Sequence, residues 1–282
     1  MNTSVRETMH IAFRTVDGLR IRCAESDEHH DQTILLTNPW PESLYAFQSI
    51  WQRLSSHAHL VAVDLPGFGR SKRRASLLSP LAMGEFVVRL VDEWGLDTPH
   101  LVGQDIGTGA ALFAAARHPA AFRSLVVGSG GTAVPLQVTG ALKDIIDAPT
   151  LEPFRALDPR TLVAGALDSM GGHTLPDEVR EDYLQSYEGD RFVESMRYVR
   201  SYPHDLPILL GLLGEIRTPV QIIAGRRDPL VPPANADFLH GRLPNSKLDM
   251  LDAGHFVWEE AADEYVAIVS AWVSGGYLVK AE

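Results

Sequence analysis

Two hydrophobic periods alternate along most of the chain. Short runs rich in β-branched residues are followed by longer stretches with the apolar spacing of helices. This alternation predicts an α/β fold, with a mostly parallel eight-stranded sheet covered by helices on both faces. The predicted strands are His10–Arg14, Arg20–Ala24, Thr33–Thr37, His59–Asp64, His100–Gly103, Ser124–Gly128, Val220–Ala224 and Lys247–Leu251. The predicted helices flanking this sheet are Ser43–Ser55, Pro80–Gly95, Ile106–His118, Pro233–Arg242 and Val257–Ser274.

The pattern changes between Pro135 and about Pro207. Strand signals disappear there, and helix formers dominate, as in Asp177–Tyr187 and Arg191–Ser201. We expect residues 135–207 to form a helical cap inserted after the sixth strand, and residues 1–134 and 208–282 to form the core domain. Because ligands of α/β sheets bind beyond the carboxyl ends of the strands, such a cap would roof the site.

Composition narrows the choice of function. The chain has 282 residues, of which 45% are hydrophobic, and a net charge of −11. The acidic balance argues against nucleic acid and anionic membranes as partners, and no apolar run approaches the ~20 residues of a membrane span. Residues 1–10 are polar, and the single cysteine suits a reducing compartment, so we expect a cytoplasmic protein. A homodimer is compatible with the sequence. No Cys/His cluster has metal spacing, so neither metal nor cofactor is expected.

The most informative segment is 101–109, Leu-Val-Gly-Gln-Asp-Ile-Gly-Thr-Gly. It has the pattern of a nucleophile elbow, a sharp strand-to-helix turn, with Asp105 where serine is usual. A serine that attacked a saturated carbon would leave an ether, which water does not readily cleave, whereas a carboxylate leaves a cleavable ester. The sequence therefore predicts cleavage of a carbon–heteroatom bond at an sp³ carbon of a small organic molecule.

A base and its orienting acid follow later strands. Asp228 comes after the seventh strand and His255 after the eighth, so both are expected at the same edge of the sheet as Asp105. The order nucleophile, acid, histidine is that of α/β-hydrolases. The predicted oxyanion hole consists of the Ile106 N–H and, from the loop after the third strand, the Trp40 N–H.

These motifs resemble those of α/β-hydrolases over essentially the full chain, and in particular the epoxide hydrolase and dehalogenase branch. The loop 40–45, Trp-Pro-Glu-Ser-Leu-Tyr, is similar to the family's H-G-F/W-P-E-S-x-Y, and the run 64–71 and the elbow also match. The chain departs from the family at Asn38-Pro39, which replaces His-Gly and is expected to contact substrate, and at Ile106, where Trp is usual. The resemblance implies that Asp105 forms an alkyl–enzyme ester, which water activated by His255 then hydrolyses.

The hydrogen-bond donors in the cap indicate which leaving group the enzyme would accommodate. An epoxide oxygen requires O–H donors, whereas a halide requires N–H donors, and the insertion contains tyrosines but no tryptophan. We therefore expect a small apolar epoxide as substrate, and Tyr198, which resembles a cap tyrosine of the family, as the acid. The alternative cap residues are Tyr183, Tyr187 and His173, and the remaining tyrosine of the insertion is Tyr202.

Three other functions stay open at this point. A haloalkane or haloacid dehalogenase would use the same nucleophile. An ester or carbon–carbon hydrolase would use Asp105 as a base, and the segment 127–131, Val-Gly-Ser-Gly-Gly, resembles carbon–carbon hydrolases. A non-catalytic ligand-binding homologue is the third alternative, but it would not need the Asp228–His255 pair.

Overall fold

The eight strands found in the described part of the chain join one sheet. The computed structural model describes residues 9–28, 30–168 and 174–278. The strand order is β1-β2-β4-β3-β5-β6-β7-β8. The strands are β1 His10–Val16, β2 Leu19–Glu25, β3 Thr33–Thr37, β4 His59–Val63, β5 His100–Gln104, β6 Ser124–Gly128, β7 Val220–Gly225 and β8 Ser246–Leu251. The sequence prediction of the fold class and of the strands is therefore confirmed, with shifts of one or two residues at the ends.

Only the first two pairings are antiparallel. β1 and β2 form a hairpin, whose turn residues Asp17 and Gly18 have φ of 49° and 72°, as a two-residue hairpin turn requires. β2 pairs antiparallel with β4, and every later pair is parallel. The register places Thr37 opposite Val63 on one side and Gly103 on the other. The carboxyl ends of these central strands therefore meet at one edge, where the site forms.

Helices cover both faces because neighbouring residues of each buried strand point to opposite sides. In β3, for example, Leu35 packs into one core cluster, and Ile34 and Leu36 pack into the other. The helices are α1 Trp51–Ser55, α2 Pro80–Trp94, α3 Ile106–Arg117, α4 Gly140–Asp147, α5 Glu152–Arg155, α6 Pro159–Leu167, α7 Asp177–Ser186, α8 Arg191–Arg200, α9 Tyr202–Leu212, α10 Ala234–His240, α11 Val257–Glu260 and α12 Ala262–Val273. Short 3₁₀ helices span Leu44–Phe47, Ala75–Leu77, Leu213–Glu215 and Gly276–Leu278.

The insertion between β6 and β7 contains α4 to α9. Helix α9 crosses the predicted boundary between residues 207 and 208 without a break, with Pro207 inside it. A buried ion cluster holds the insertion to the sheet: Arg22 on β2 donates hydrogen bonds to Asp182 on α7 at 2.8 and 2.9 Å and forms an ion pair with Asp64 at 2.7 Å. No helix in the described ranges is long and apolar enough to cross a membrane.

Candidate active site

Asp105 sits at the tip of a strained turn between β5 and α3. Its φ of 52° and ψ of −117° lie outside the regions that non-glycine residues favour. A Cβ at Gly103 would lie 2.7 Å from the backbone oxygen of Gly107, and a Cβ at Gly107 would lie 2.5 Å from the Thr37 hydroxyl. The two glycines are therefore required by close packing. Thr108 braces the turn by donating its hydroxyl to the Gly128 carbonyl at 2.8 Å.

One oxygen of the Asp105 carboxylate occupies the predicted oxyanion site. The Trp40 N–H donates to its Oδ2 atom at 2.7 Å. Within the described residues, the Ile106 N–H makes no hydrogen bond to Asp105. As the first amide of α3 it also has no acceptor in its own helix, so it remains available to a developing negative charge.

The other oxygen of Asp105 faces the histidine. The Nε2 atom of His255 lies 3.6 Å from the Oδ1 atom of Asp105, and its Nδ1 atom lies 2.7 Å from the Oδ2 atom of Asp228. The backbone N–H groups of Leu230 and Val231 donate to the second oxygen of Asp228 at 2.8 and 2.9 Å. The structure thus brings Asp105, His255 and Asp228 together as the sequence predicts, with the imidazole fixed by a carboxylate that is itself held.

Two carboxylates determine the charge of His255. Burial lowers the pKa of His255, but Asp228 and Asp105 outweigh burial and raise this pKa to about 10. The side chain is only 5% exposed, so solvent screens these interactions weakly. The imidazole is therefore an imidazolium at neutral pH, placed between two carboxylates.

An apolar cavity opens above Asp105 and His255. Its volume is about 310 Å³, and cap helices supply much of its lining through Leu142, Ile145, Phe154, Leu162, Phe192 and Met196. No lysine or arginine is among the described residues that line it. The one cap carboxylate in the lining, that of Asp144, is on an exposed residue of α4. The cavity therefore suits an uncharged apolar molecule.

Comparison with known proteins agrees with this architecture. A family model described as the alpha/beta hydrolase fold matches residues 32–262. The chain belongs to the alpha/beta hydrolase family. The uncharacterized hydrolase YugF of Bacillus subtilis is 27% identical over 259 residues, which cover 87% of this chain and 91% of that relative. A pimeloyl-(acyl-carrier protein) methyl ester esterase of Neisseria meningitidis is 26% identical over 259 residues, 86% of this chain and 93% of the esterase.

A similar fold is seen in the crystal structure of epoxide hydrolase A from Mycobacterium thermoresistibile. The two structures superpose with a TM-score of 0.76 at 18% sequence identity, covering 95% of this chain and 99% of that one. Identity at this level shows a shared fold alone. The chain is therefore a hydrolase of the alpha/beta fold, and its reaction has to be argued from its own residues.

In this alpha/beta hydrolase the predicted acid, Tyr198, does not line the cavity. Its hydroxyl donates to the Ile106 carbonyl at 2.7 Å. The other two predicted tyrosines are also occupied: Tyr183 donates to Glu259 at 3.1 Å, and Tyr187 donates to the Glu42 carbonyl at 2.8 Å. These three hydroxyls hold the cap on the core, and His173 lies outside the described residues.

Tyr202 is the insertion tyrosine that lines the cavity, among the described residues. Its hydroxyl has no hydrogen-bond partner in that part of the chain, and its ring lies 6.0 Å from that of Tyr198. Burial and the nearby Asp105 carboxylate raise the pKa of Tyr202 well above 10. The sequence signal that could have found it is Pro203, which predicts a new helix start. A new helix starting there means that the two tyrosines need not share a face.

Asn38 and Pro39, which the sequence predicts as substrate contacts, do not line the cavity. Asn38 is fully buried, and its Oδ1 atom accepts from the Leu65 N–H at 2.7 Å. Its amide donates to the Pro39 carbonyl at 2.8 Å. Asn38 therefore ties the loop after β3, residues 38–43, here called the oxyanion loop, to the loop after β4. The residues of this loop that line the cavity are Trp40 and Pro41.

Proposed function

We propose that the protein is an epoxide hydrolase that opens small, uncharged, apolar epoxides through an alkyl–enzyme ester on Asp105. The observation that carries this proposal is that the two oxygens of the Asp105 carboxylate have different neighbours. Its Oδ2 atom accepts the Trp40 N–H at 2.7 Å, and its Oδ1 atom faces His255 at 3.6 Å beside the cavity. A nucleophile held in this way keeps one oxygen for attack and one for the oxyanion site.

In the first step, Oδ1 of Asp105 attacks an epoxide carbon. A carbon–oxygen ester bond forms as the ring carbon–oxygen bond breaks, and the ring oxygen takes the proton of the Tyr202 hydroxyl. The raised pKa of Tyr202 keeps that proton in place until an alkoxide, a stronger base than phenolate, develops beside it. No base is needed in this step, so the positive charge on His255 does not obstruct it.

In the second step, water attacks the ester carbonyl of Asp105. Alkylation has removed the charge of Asp105, one of the two charges that keep the proton on His255. His255 can then give that proton to the Tyr202 phenolate and accept one from the attacking water. The Trp40 and Ile106 N–H groups stabilise the oxyanion. On collapse the departing alkoxide takes the remaining proton of the attacking water, which releases a vicinal diol and restores the carboxylate. The overall reaction adds one water to one epoxide.

The donors around the cavity favour an epoxide over a halide. Trp40 lines the cavity, but its indole N–H already donates to the Ser195 hydroxyl at 2.8 Å. Ile106 offers no side-chain donor. The hydroxyl of Tyr202 remains, and an O–H group suits an alkoxide leaving group better than a halide. The absence of lysine and arginine from the described lining argues against a haloacid, whose carboxylate would need a cation.

Single-turnover hydrolysis in water labelled with oxygen-18 tests the proposal. With enzyme in excess over a neutral epoxide such as styrene oxide, the first diol should carry unlabelled oxygen from Asp105. The label should appear instead on the peptide that contains Asp105. Direct attack by water would put the label in the diol during this first turnover and would reject the alkyl–enzyme ester.

A matched panel should separate the alternatives for the leaving group. An epoxide, a haloalkane, a haloacid and an ester of similar size are compared under the same conditions, with diol, halide and acid measured as products. We expect turnover of the epoxide. Halide release without diol formation would reassign the chain to dehalogenation, and ester cleavage alone would favour a role for Asp105 as a base.

A further inference from the structure

Two glutamates form a buried pair beside the active site that the mechanism above does not use. Glu42, in the loop after Pro41, has no exposed surface, and Glu259 on α11 is 5% exposed. Their carboxyl groups are in hydrogen-bond contact with each other. Among the described residues, no lysine, arginine or histidine forms an ion pair with either group. A pair of buried carboxylates without a cation would be strongly repulsive if both were ionised.

One oxygen of each carboxyl group accepts a hydrogen bond from a separate donor. The Oε2 atom of Glu42 accepts from the indole N–H of Trp258 at 2.9 Å, and the Oε1 atom of Glu259 accepts from the Tyr183 hydroxyl at 3.1 Å. The remaining oxygens, Oε1 of Glu42 and Oε2 of Glu259, are buried and accept from no N–H or hydroxyl donor of the described residues. Two carboxyl oxygens can be hydrogen-bonded to each other only if one of them carries a proton.

We propose that Glu42 and Glu259 share one proton and act as a positioning pair for Trp40 and His255. Glu42 lies two residues after Trp40, whose N–H holds the nucleophile. Glu259 follows Trp258, whose ring packs edge-on against His255 with centroids 6.3 Å apart. The shared proton thus joins the oxyanion loop to the helix that follows the base.

The cap takes part in the same contact through Tyr183 on α7. The Tyr187 hydroxyl also donates to the backbone carbonyl of Glu42 at 2.8 Å. If the shared proton left, two adjacent negative charges would push the oxyanion loop, α11 and the cap apart. The pair therefore links cap docking to the geometry of the oxyanion donor.

The surroundings of the pair keep its proton in place at acidic and neutral pH. Burial raises the pKa of Glu42 well above its ordinary value, and the carboxylates of Glu259 and Asp105 raise it further. Burial also raises the pKa of Glu259, to about 7, with Glu260 contributing in the same direction. Because folding raises these values, the pair stabilises the fold fully below about pH 4.5, the ordinary value for glutamate. The part of this contribution that comes from Glu259 is lost as the pH rises through about 7, which leaves one proton shared by the pair.

Replacing the carboxyls by amides tests the shared proton. In Glu42→Gln, the amide can accept from Trp258 and donate to Glu259. In Glu259→Gln, the amide can accept from Tyr183 and donate to Glu42. Each single variant keeps one negative charge and every hydrogen bond. We therefore expect Tm within about 3 °C of the parent for each single variant, and a smaller fall of Tm between pH 5 and pH 8.

The double variant, Glu42→Gln with Glu259→Gln, cannot satisfy all of these donors. Either two amide NH₂ groups face each other, or Tyr183 must turn its O–H away from the only acceptor it has in the described structure. We expect its Tm at pH 6 to fall at least about 3 °C below the sum of the single effects. Turnover should be lost in the double variant and recovered in either single one, which is the signature of a positioning role.

The control is Glu264→Gln, which removes an exposed glutamate on α12. The shared proton is overturned if the change in Tm of the double variant equals the sum of the two single changes. It is also overturned if Tm depends on pH in the same way in the parent and in the single variants. Loss of turnover in the double variant, together with additive changes in Tm, would overturn the shared proton as well. The Tm measurements need no substrate, so their failure is distinct from failure of the proposed function. Only the turnover measurements rest on the proposed function.

Discussion

Replacement of His255 by glutamine should separate the two chemical steps of the proposed mechanism. Glutamine keeps a polar side chain of similar reach but cannot act as a base. Alkylation of Asp105 needs no base, so an ester should still form. Hydrolysis needs one, so the ester should accumulate. The variant thus turns an enzyme with a transient intermediate into one that stops at it.

The structure sets the size of the effect. Charges 3.6 Å apart, the distance from Nε2 of His255 to Oδ1 of Asp105, attract by about 4–5 kcal/mol at an effective dielectric constant of about 20. Alkylation removes this attraction, and the loss is large enough to bring the pKa of His255 from about 10 back towards its ordinary value. The parent histidine becomes a base only at that stage. Losing it should slow ester hydrolysis by about 10²–10⁴, which corresponds to about 3–5 kcal/mol in the barrier.

Intact-protein mass spectrometry after rapid mixing with excess epoxide measures this directly. His255→Gln should gain the full mass of one substrate, and the decay of that mass gives the hydrolysis rate. Peptide mapping should place the mass on Asp105, and a double variant that also carries Asp105→Asn should gain none. Thermal unfolding of each variant checks that the fold is intact.

The reasoning would be refuted by a folded His255→Gln protein that forms no adduct and turns over no substrate. That result would assign His255 to the first step, as the base of a serine-type mechanism in which the nucleophile must be deprotonated. Adduct that forms and decays at the parent rate would equally reject His255 as the base for water.

Three further outcomes are expected. Asp105→Asn should abolish turnover and adduct formation with unchanged circular dichroism, and a mass gain of deamidation must be excluded. Tyr202→Phe should slow ring opening by about 10²–10⁴ and leave ester hydrolysis nearly unchanged, whereas Tyr198→Phe should mainly lower stability, by about 0.5–1.5 kcal/mol; equal kinetic defects would contradict this. Because folding raises the pKa of His255 to about 10, the protonated histidine should make the parent more stable than His255→Gln. This difference in the free energy of unfolding, measured by denaturation, should be complete below about pH 6.5 and lost as the pH rises through about 10.

The strands were predictable because their signals are local. Buried parallel strands consist of short, nearly continuous apolar runs, and each run here ends at a turn that glycine, proline or a polar residue marks. Helix ends were less predictable. The predicted helix at 257–274 is two helices in the structure, α11 and α12, with Ala261 at φ of −127° between them. The residue pattern on either side of Ala261 gives no sign of this break.

The residues at the sheet edge were predictable for a different reason. Strand order brings the carboxyl ends of β5, β7 and β8 to one edge, so the chain positions of Asp105, Asp228 and His255 already imply that they meet. The roles of the cap tyrosines depend instead on how α7, α8 and α9 pack, which is tertiary information. Tyr198 and Tyr202 are both buried aromatic residues four positions apart, yet the hydroxyl of Tyr198 donates to a backbone carbonyl, whereas Tyr202 lines the cavity.

The aspartate at the elbow changes the task of the histidine as well as that of the nucleophile. A serine nucleophile is neutral, so its histidine must start without a proton in order to accept one. The carboxylate of Asp105 adds a charge 3.6 Å from the imidazole, and together with Asp228 it raises the pKa of His255. In the proposed mechanism the base is therefore released by the first step itself. Water is activated only when an ester is present to receive it, which follows from the position of one negative charge.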